Sequence, residues 1–255
     1  QLSVPGVTEG PLEGIATLKC RLETAGRWYV IKWSRLHENG SDTLLVSLPS
    51  GQMAPPALKR LADWPKTEQD FQFRTFTSYR EAKTSVPDWN PDIPKSLRMR
   101  IQPLITVQAG IVEFHLVLSP LSCEDKGRYR CRAVAAFGDP TGSTQLMLTQ
   151  PPGTPHVIYN HEVWTLNSTF SVSCKAPAGI PPQEFLWYYK TPSMRNFLIA
   201  ERQGETEYEE NGCSMTSIRT LHVTVTTDSG GTLYRCALPG RVESNYDELS
   251  VHLPP

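Results

Sequence analysis

Apolar and polar residues alternate with a period of two at intervals along the chain. Ala16, Leu18, Cys20 and Leu22 are separated by Thr17, Lys19 and Arg21, and Tyr29, Ile31 and Trp33 follow around Lys32. Val112, Phe114, Leu116 and Leu118 flank Glu113 and His115. The second half repeats the habit in Phe170, Val172 and Cys174, in Phe185, Trp187 and Tyr189, in Leu221, Val223 and Val225, and in Leu249, Val251 and Leu253. Successive side chains of a strand face opposite ways, so each run predicts a strand with one buried and one wet face. The 22 prolines and 17 glycines, with no sustained 3.6-residue pattern, favour short strands and turns. Strands without crossover helices imply antiparallel sheets packed face to face, an all-β fold.

The 255 residues suit two domains, and the sequence contains one pattern twice. Cys20 is followed thirteen residues later by Trp33, and further on by Asp125-Lys126-Gly127-Arg128-Tyr129-Arg130-Cys131. Cys174 is followed thirteen residues later by Trp187, and further on by Tyr234-Arg235-Cys236. These spacings resemble the immunoglobulin superfamily over essentially the whole chain. The resemblance implies two tandem immunoglobulin-like antiparallel β-sandwiches, in residues 1–150 and 151–255.

The same resemblance assigns roles. Cys20 would bond to Cys131 and Cys174 to Cys236, each bridge carrying a tryptophan, Trp33 or Trp187, packed against it. Loop-closure entropy credits each bridge with roughly 4 kcal/mol. Tyr129 and Tyr234 sit where the family places its tyrosine corner. Asp125 sits where a carboxylate meets an arginine of the opposite sheet, with Arg98 or Arg100 as partner. In the second half the matching position is Gly230, with Asp228 two residues early, which implies a missing ion pair or a bulge. Gly142-Ser143-Thr144-Gln145-Leu146-Met147-Leu148 is similar to a variable-type last strand, so the first domain is V-like. It also carries a long insertion, about residues 50–96. About 75 residues separate Trp33 from the strand near Ile111, against roughly 45 in a variable-type domain. Six prolines and the aromatics Trp64, Phe71, Phe73, Phe76, Tyr79 and Trp89 fill that stretch. It reads as an excursion packed on the sandwich, a binding surface, or both.

Cys123 and Cys213 remain. A bridge between them is the first expectation, and a free or intermolecular thiol or other pairings within the domains are the alternatives. Such a bridge would make the link Gln150-Pro151-Pro152-Gly153-Thr154-Pro155 part of a fixed elbow. Asn39-Gly40-Ser41 and Asn167-Ser168-Thr169 are glycosylation acceptors at Asn39 and Asn167. With an even cysteine count they point to an oxidising, secretory route. A chain that starts at Gln1 without a basic-then-apolar leader reads as a processed or trimmed piece.

A formal charge of −1 offers no handle on nucleic acid or an anionic bilayer, and no run approaches the ~18 apolar residues of a membrane span. No nucleophile elbow, phosphate loop, dinucleotide fingerprint or His-Glu-x-x-His occurs, and no Cys-x-x-Cys. Asp88-Trp89-Asn90-Pro91-Asp92 opens like a calcium loop, but Ile93 and Met99 occupy its glycine and glutamate positions, so it reads as a turn. His156 and His161 lack companion ligands and read as solvated loop histidines. Glu205, Glu207, Glu209 and Glu210 read as a charged loop tip near Cys213, and Lys95, Arg98 and Arg100 as a basic strand. The sequence therefore predicts no enzyme, metal or cofactor.

Recognition remains: a secreted or cell-surface protein meeting a protein or pathogen-surface ligand. Ile31 to Gln52, the long spacer and Gly127 to Cys131 resemble the paired immunoglobulin domains of molluscan fibrinogen-related proteins, haemolymph immune lectins. That resemblance implies an immune role, but no sugar binding, because the lectin domain is not in this sequence. An adhesion receptor ectodomain, self-associating through Tyr188 and Tyr189, and a spacer carrying another domain are the other readings. Candidate partner-binding residues are Tyr188 and Tyr189 beside Trp187, Phe137 in the loop Arg132 to Gly142, and Arg241 in the loop Leu238 to Tyr246.

Overall fold

The computed structural model describes residues 1–50, 87–159 and 164–253. Most of the proline- and aromatic-rich stretch, and His161, lie outside them. The chain divides into two compact units, Gln1–Leu148 and Thr149–Pro255.

Unit one contains β1 (Leu2–Ser3), β2 (Val7–Pro11), β3 (Ala16–Leu18), β4 (Arg21–Glu23), β5 (Trp28–Leu36), β6 (Asp42–Pro49) and β7 (Asp88–Trp89). A short helix, α1 (Lys95–Arg100), then leads into β8 (Ile101–Gln108), β9 (Ile111–Leu118), β10 (Gly127–Ala135) and β11 (Thr141–Thr149). One sheet has the order β1-β4-β9-β3 with β8 also on β9, and the other β2-β11-β10-β5-β6-β7. The addition of β6 and β7 beyond β5 is the variable-type arrangement. The run from Ala16 to Leu22, expected as one strand, is broken at Lys19 and Cys20. On its far side the first strand is shared between layers: β1 pairs with β4, and after Val4-Pro5 the chain crosses to lie beside β11 as β2.

Between the layers lies an apolar core. Leu18, Leu22, Trp33, Phe114, Leu116 and Leu118 have no exposure, and each such side chain contributes about 1.5–3 kcal/mol on burial. Cys20 and Cys131 are bonded across it, their Cα atoms 6.3 Å apart. The Trp33 indole N–H donates to the Phe114 carbonyl at 2.7 Å, and the Phe114 N–H to the Cys20 carbonyl at 2.9 Å. The indole thus ties the two sheets at the bridge with its one polar group paired.

Lys95, Arg98 and Arg100, expected on a strand, occupy α1 instead. Lys-Ser-Leu-Arg-Met-Arg contains no β-branched residue, and Pro94 before it has φ −54°, so a turn and a half of helix costs little there. Arg100 at its end reaches Asp125, whereas Arg98 lies 5.4 Å from the centroid of Trp89.

Unit two contains β12 (His156–Ile158), β13 (Thr169–Gly179), β14 (Leu186–Lys190), β15 (Leu198–Ile199), β16 (Glu207–Asn211), β17 (Ser214–Thr224), β18 (Leu233–Ala237) and β19 (Tyr246–Ser250). Its sheets have the orders β12-β13-β17-β16 and β15-β14-β18-β19. That is the constant-type pattern with the two-residue β15 added. Cys174 and Cys236 are bonded with Cα atoms 6.1 Å apart, and the fully buried Trp187 donates its indole N–H to the Arg219 carbonyl at 2.9 Å. Residues expected as a link are tied into this unit: Gln150 exchanges backbone bonds with Ile180, and the Gly153 N–H donates to the Pro177 carbonyl at 2.9 Å.

The acidic run does not form a loop tip. Glu207, Glu209 and Glu210 lie on β16, exposed throughout and paired with β17 at the sheet edge. Charged edge strands resist pairing with other chains. His156 likewise begins a strand, β12, rather than lying in a loop.

Each unit has a 3-10 turn before its second bridge cysteine. In unit one, Cys123–Asp125 is closed by a capping box between Ser122 and Asp125. In unit two the box joins Thr226 and Ser229, so Ser229, not Gly230, stands where Asp125 does. The extra residue is absorbed at Gly230-Gly231, with Gly231 at φ +75°. No ion pair replaces that of Asp125 there, among the described residues. The Tyr129 hydroxyl donates to the Asp125 carbonyl at 2.7 Å, completing a tyrosine corner. Tyr234 donates no such bond among the described residues; its ring centroid lies 6.4 Å from that of Tyr189 instead.

Candidate recognition surface

Side chains on the outer face of β15-β14-β18-β19 follow from register. Trp187 points into the core, so Tyr188 points out, opposite Ile199 on one side and Arg235 on the other. Arg235 in turn faces Glu248 on β19, and Ala237 faces Tyr246.

Arg235 is the centre of this face. Its guanidinium carbon lies 3.8 Å from the Tyr246 ring centroid and 4.2 Å from that of Phe197. Its nitrogens donate to Glu248 and Glu243, both at 2.6 Å, and to the Val242 carbonyl at 3.1 Å. Burial works against the charge, but the bonds to Glu248 and Glu243 overcome it and hold the group above the usual arginine value. An arginine fixed by two rings and two carboxylates loses little side-chain entropy on contact with a partner. On the edge strand β15, Ile199 shares this face opposite Tyr188 and is 56% exposed, whereas Leu198 stands opposite the inward-pointing Tyr189.

The structure separates the candidate residues. Tyr188, expected to be exposed, is buried at 7% exposure, and burial pushes its phenol up. It lies between two neighbouring strands, so alternation alone did not leave it in water. Tyr189 points inward and packs against the core of unit two. Phe137 is 49% exposed at the tip of the β10–β11 hairpin. The loop there is shorter than Arg132 to Gly142, because Arg132 to Ala135 belong to β10 and Ala135 bridges Gly138. Arg132 closes its base through Asp139 at 2.9 Å. Arg241 is exposed between β18 and β19, its carbonyl accepting from Ser244 at 3.1 Å and Asn245 at 3.0 Å. Phe197, Arg235 and Tyr246 were not singled out from the sequence. The available signal was the outward position of Arg235, one residue before a core cysteine.

Both acceptor asparagines are exposed in turns, Asn39 at the β5–β6 connection and Asn167 before β13 with φ +61°. Cys123 and Cys213 are each disulfide-bonded, and none of the described cysteines is free. Asp88 to Asp92 form a strand and a turn: the Asn90 amide donates to the Leu44 carbonyl at 2.8 Å and its oxygen accepts from the Asp92 N–H at 3.1 Å. No group of three or more metal-binding side chains is present among the described residues, and no helix there is long and apolar enough to cross a membrane.

Solved structures with this architecture cover the whole chain. The chain is similar to Rst D1-D2 (14% identity, TM-score 0.58, 99% of each chain covered). It is similar to bovine butyrophilin (12% identity, TM-score 0.55, 100% of this chain and 99% of that one). The extracellular portion of mouse CD200RLa gives 15% identity and a TM-score of 0.53, over 98% of this chain and 100% of that one. The fold is two tandem immunoglobulin-like sandwiches. No family model matches the sequence, and no curated protein matches it.

Proposed function

We propose that this chain is an extracellular, non-enzymatic recognition module that engages a protein partner through the β15-β14-β18-β19 face of unit two. The observation that carries the reading is Arg235 clamped between Phe197 and Tyr246, with Ile199 exposed on the same face. Arginine and aromatic residues held rigidly beside apolar surface are the groups that dominate binding energy at protein interfaces. The bridged cysteines and exposed acceptor asparagines support an extracellular setting, as does the likeness to the extracellular portion of mouse CD200RLa. An immune role against pathogen surfaces rests on the resemblance to molluscan fibrinogen-related proteins, and adhesion through self-association is the second reading.

Labelled tetramers of the protein, applied to cell and microbial surfaces, test this. Tyr246→Ala combined with Ile199→Asp is expected to weaken binding by about thirtyfold, the equivalent of roughly 2 kcal/mol, without changing thermal stability. Undiminished binding sinks the assignment to this face. Phe137→Ala and Arg241→Ala, measured alongside, test the hairpin tips. Sedimentation of the unlabelled protein separates self-association from a foreign partner.

A further inference from the structure

One end of unit one encloses a cleft of about 620 Å³ whose lining includes Arg35, Glu38, Lys126, Arg128, Arg130 and Gln145. A cleft of this size falls within the roughly 300–1,000 Å³ of small-ligand sites. Four cations meet a single lining carboxylate, although the chain as a whole carries a formal charge of −1.

The register explains the clustering. Arg128 on β10 stands opposite Leu36 on β5 and Gln145 on β11, and Arg130 follows two residues along on the same face. Arg35 is held beneath them: its guanidinium carbon lies 6.0 Å from the Tyr129 centroid, and it donates to the carbonyls of Glu124 and Lys126. Among the described residues Arg130 has only Asp42 at 3.6 Å, an exposed contact of little strength. Among the described residues, Arg35, Lys126 and Arg128 have no carboxylate partner, whereas Arg100, Arg132 and Arg219 each have one and Arg235 has two.

We propose that this cleft binds an anionic saccharide, one bearing sulfate or carboxylate groups. Guanidinium forks match the two-oxygen edge of either group. The Gln145 amide and the Glu38 carboxylate supply hydrogen bonds for sugar hydroxyls. No Phe, Tyr or Trp stands among the described lining residues, and the imidazole of His37 is tied to the Thr43 hydroxyl at 2.8 Å, so the run of stacking rings that single-stranded nucleic acid uses is missing. The site lies in unit one and does not depend on the protein-binding face of unit two.

Titration calorimetry on the full chain tests it with four probes: a heparin hexasaccharide, an oligogalacturonate, a neutral maltohexaose and a single-stranded DNA 12-mer. Binding of either acidic saccharide, or both, without maltohexaose supports the proposal and tells which acidic group is preferred. Affinity should fall several-fold as salt rises from about 50 to 300 mM. Lys126→Ala with Arg128→Ala should reduce it at least about tenfold, and Arg235→Ala should leave it unchanged. Both substituted residues are exposed, and Arg128→Gln alone serves if the pair fails to fold. No binding of either acidic saccharide, equal binding of the DNA, or an undiminished double variant overturns it.

Discussion

Arg100 grips Asp125 with both arms of its guanidinium, the Nη2 arm at 3.0 Å from Oδ1. Asp125 is 1% exposed and also accepts from the Ser122 N–H at 2.7 Å, while Arg100 donates to the Pro120 carbonyl at 2.9 Å. The bond to Asp125 holds the Arg100 guanidinium above its usual value. Asp125→Asn removes the charge but keeps the shape, and leaves Arg100 without its counter-ion. Urea denaturation should show a loss of about 2–4 kcal/mol.

The Tyr129 hydroxyl is buried beside that pair, and burial pushes its ionisation up to about 12. A phenol whose value is raised on folding contributes stability below its ordinary value of 10, and loses it as pH climbs through the folded value. Ultraviolet titration should therefore show one phenolate forming near 12, absent in Tyr129→Phe. The same variant leaves the Asp125 carbonyl without its donor and should lose about 1–2 kcal/mol.

His115 Nδ1 accepts the Cys20 N–H at 3.2 Å, which requires a neutral ring. Burial lowers its value below 6.5, and nearby Lys19 acts in the same direction while Glu113 opposes it. A histidine depressed on folding leaves stability intact above 6.5 and erodes it as pH falls from there through the folded value. Titration followed by nuclear magnetic resonance should place His115 below 6.5. Replacement by Gln should flatten the slope of stability against pH in that window.

Gly142 lies where a Cβ would come within 2.7 Å of Val4 Cγ2 and 2.9 Å of Val4 Cβ. Gly142→Ala should destabilise unit one by about 1–3 kcal/mol through overpacking. Val4→Ala combined with it should recover part of the loss, a coupling that a double-mutant cycle measures.

Iodoacetamide applied without reductant should label no cysteine, since all six are oxidised. Labelling of Cys123 in the unreduced protein would refute it.

Much of the fold was legible because two long-range constraints leave local traces. A bridge cysteine and its tryptophan must face the same core, so Cys20 with Trp33 and Cys174 with Trp187 carry matching spacing and flanking alternation. Alternation is blind to what lies above a strand, which is why Tyr188 was misread as exposed. It is equally blind to ordering by neighbours: Arg235 becomes a surface feature only through Phe197 and Tyr246, which come from other segments. The basic cleft was hidden for a similar reason. Arg35 and Lys126 are 91 positions apart and meet only because β5 and β10 are adjacent. Ser229 was missed because a single added glycine shifts the count back from Cys236.

The crossing of the first strand from one layer to the other has a practical consequence. Residues 2–11 act as a hasp, closing β4 in one sheet and β11 in the other. Cutting them away would uncover two raw borders at once, each with idle amides and carbonyls able to recruit strands from other molecules. Proteolytic nicking before Glu13 would then turn a monodisperse sample into one that clumps, and screening for intact amino termini becomes a simple check on batch quality.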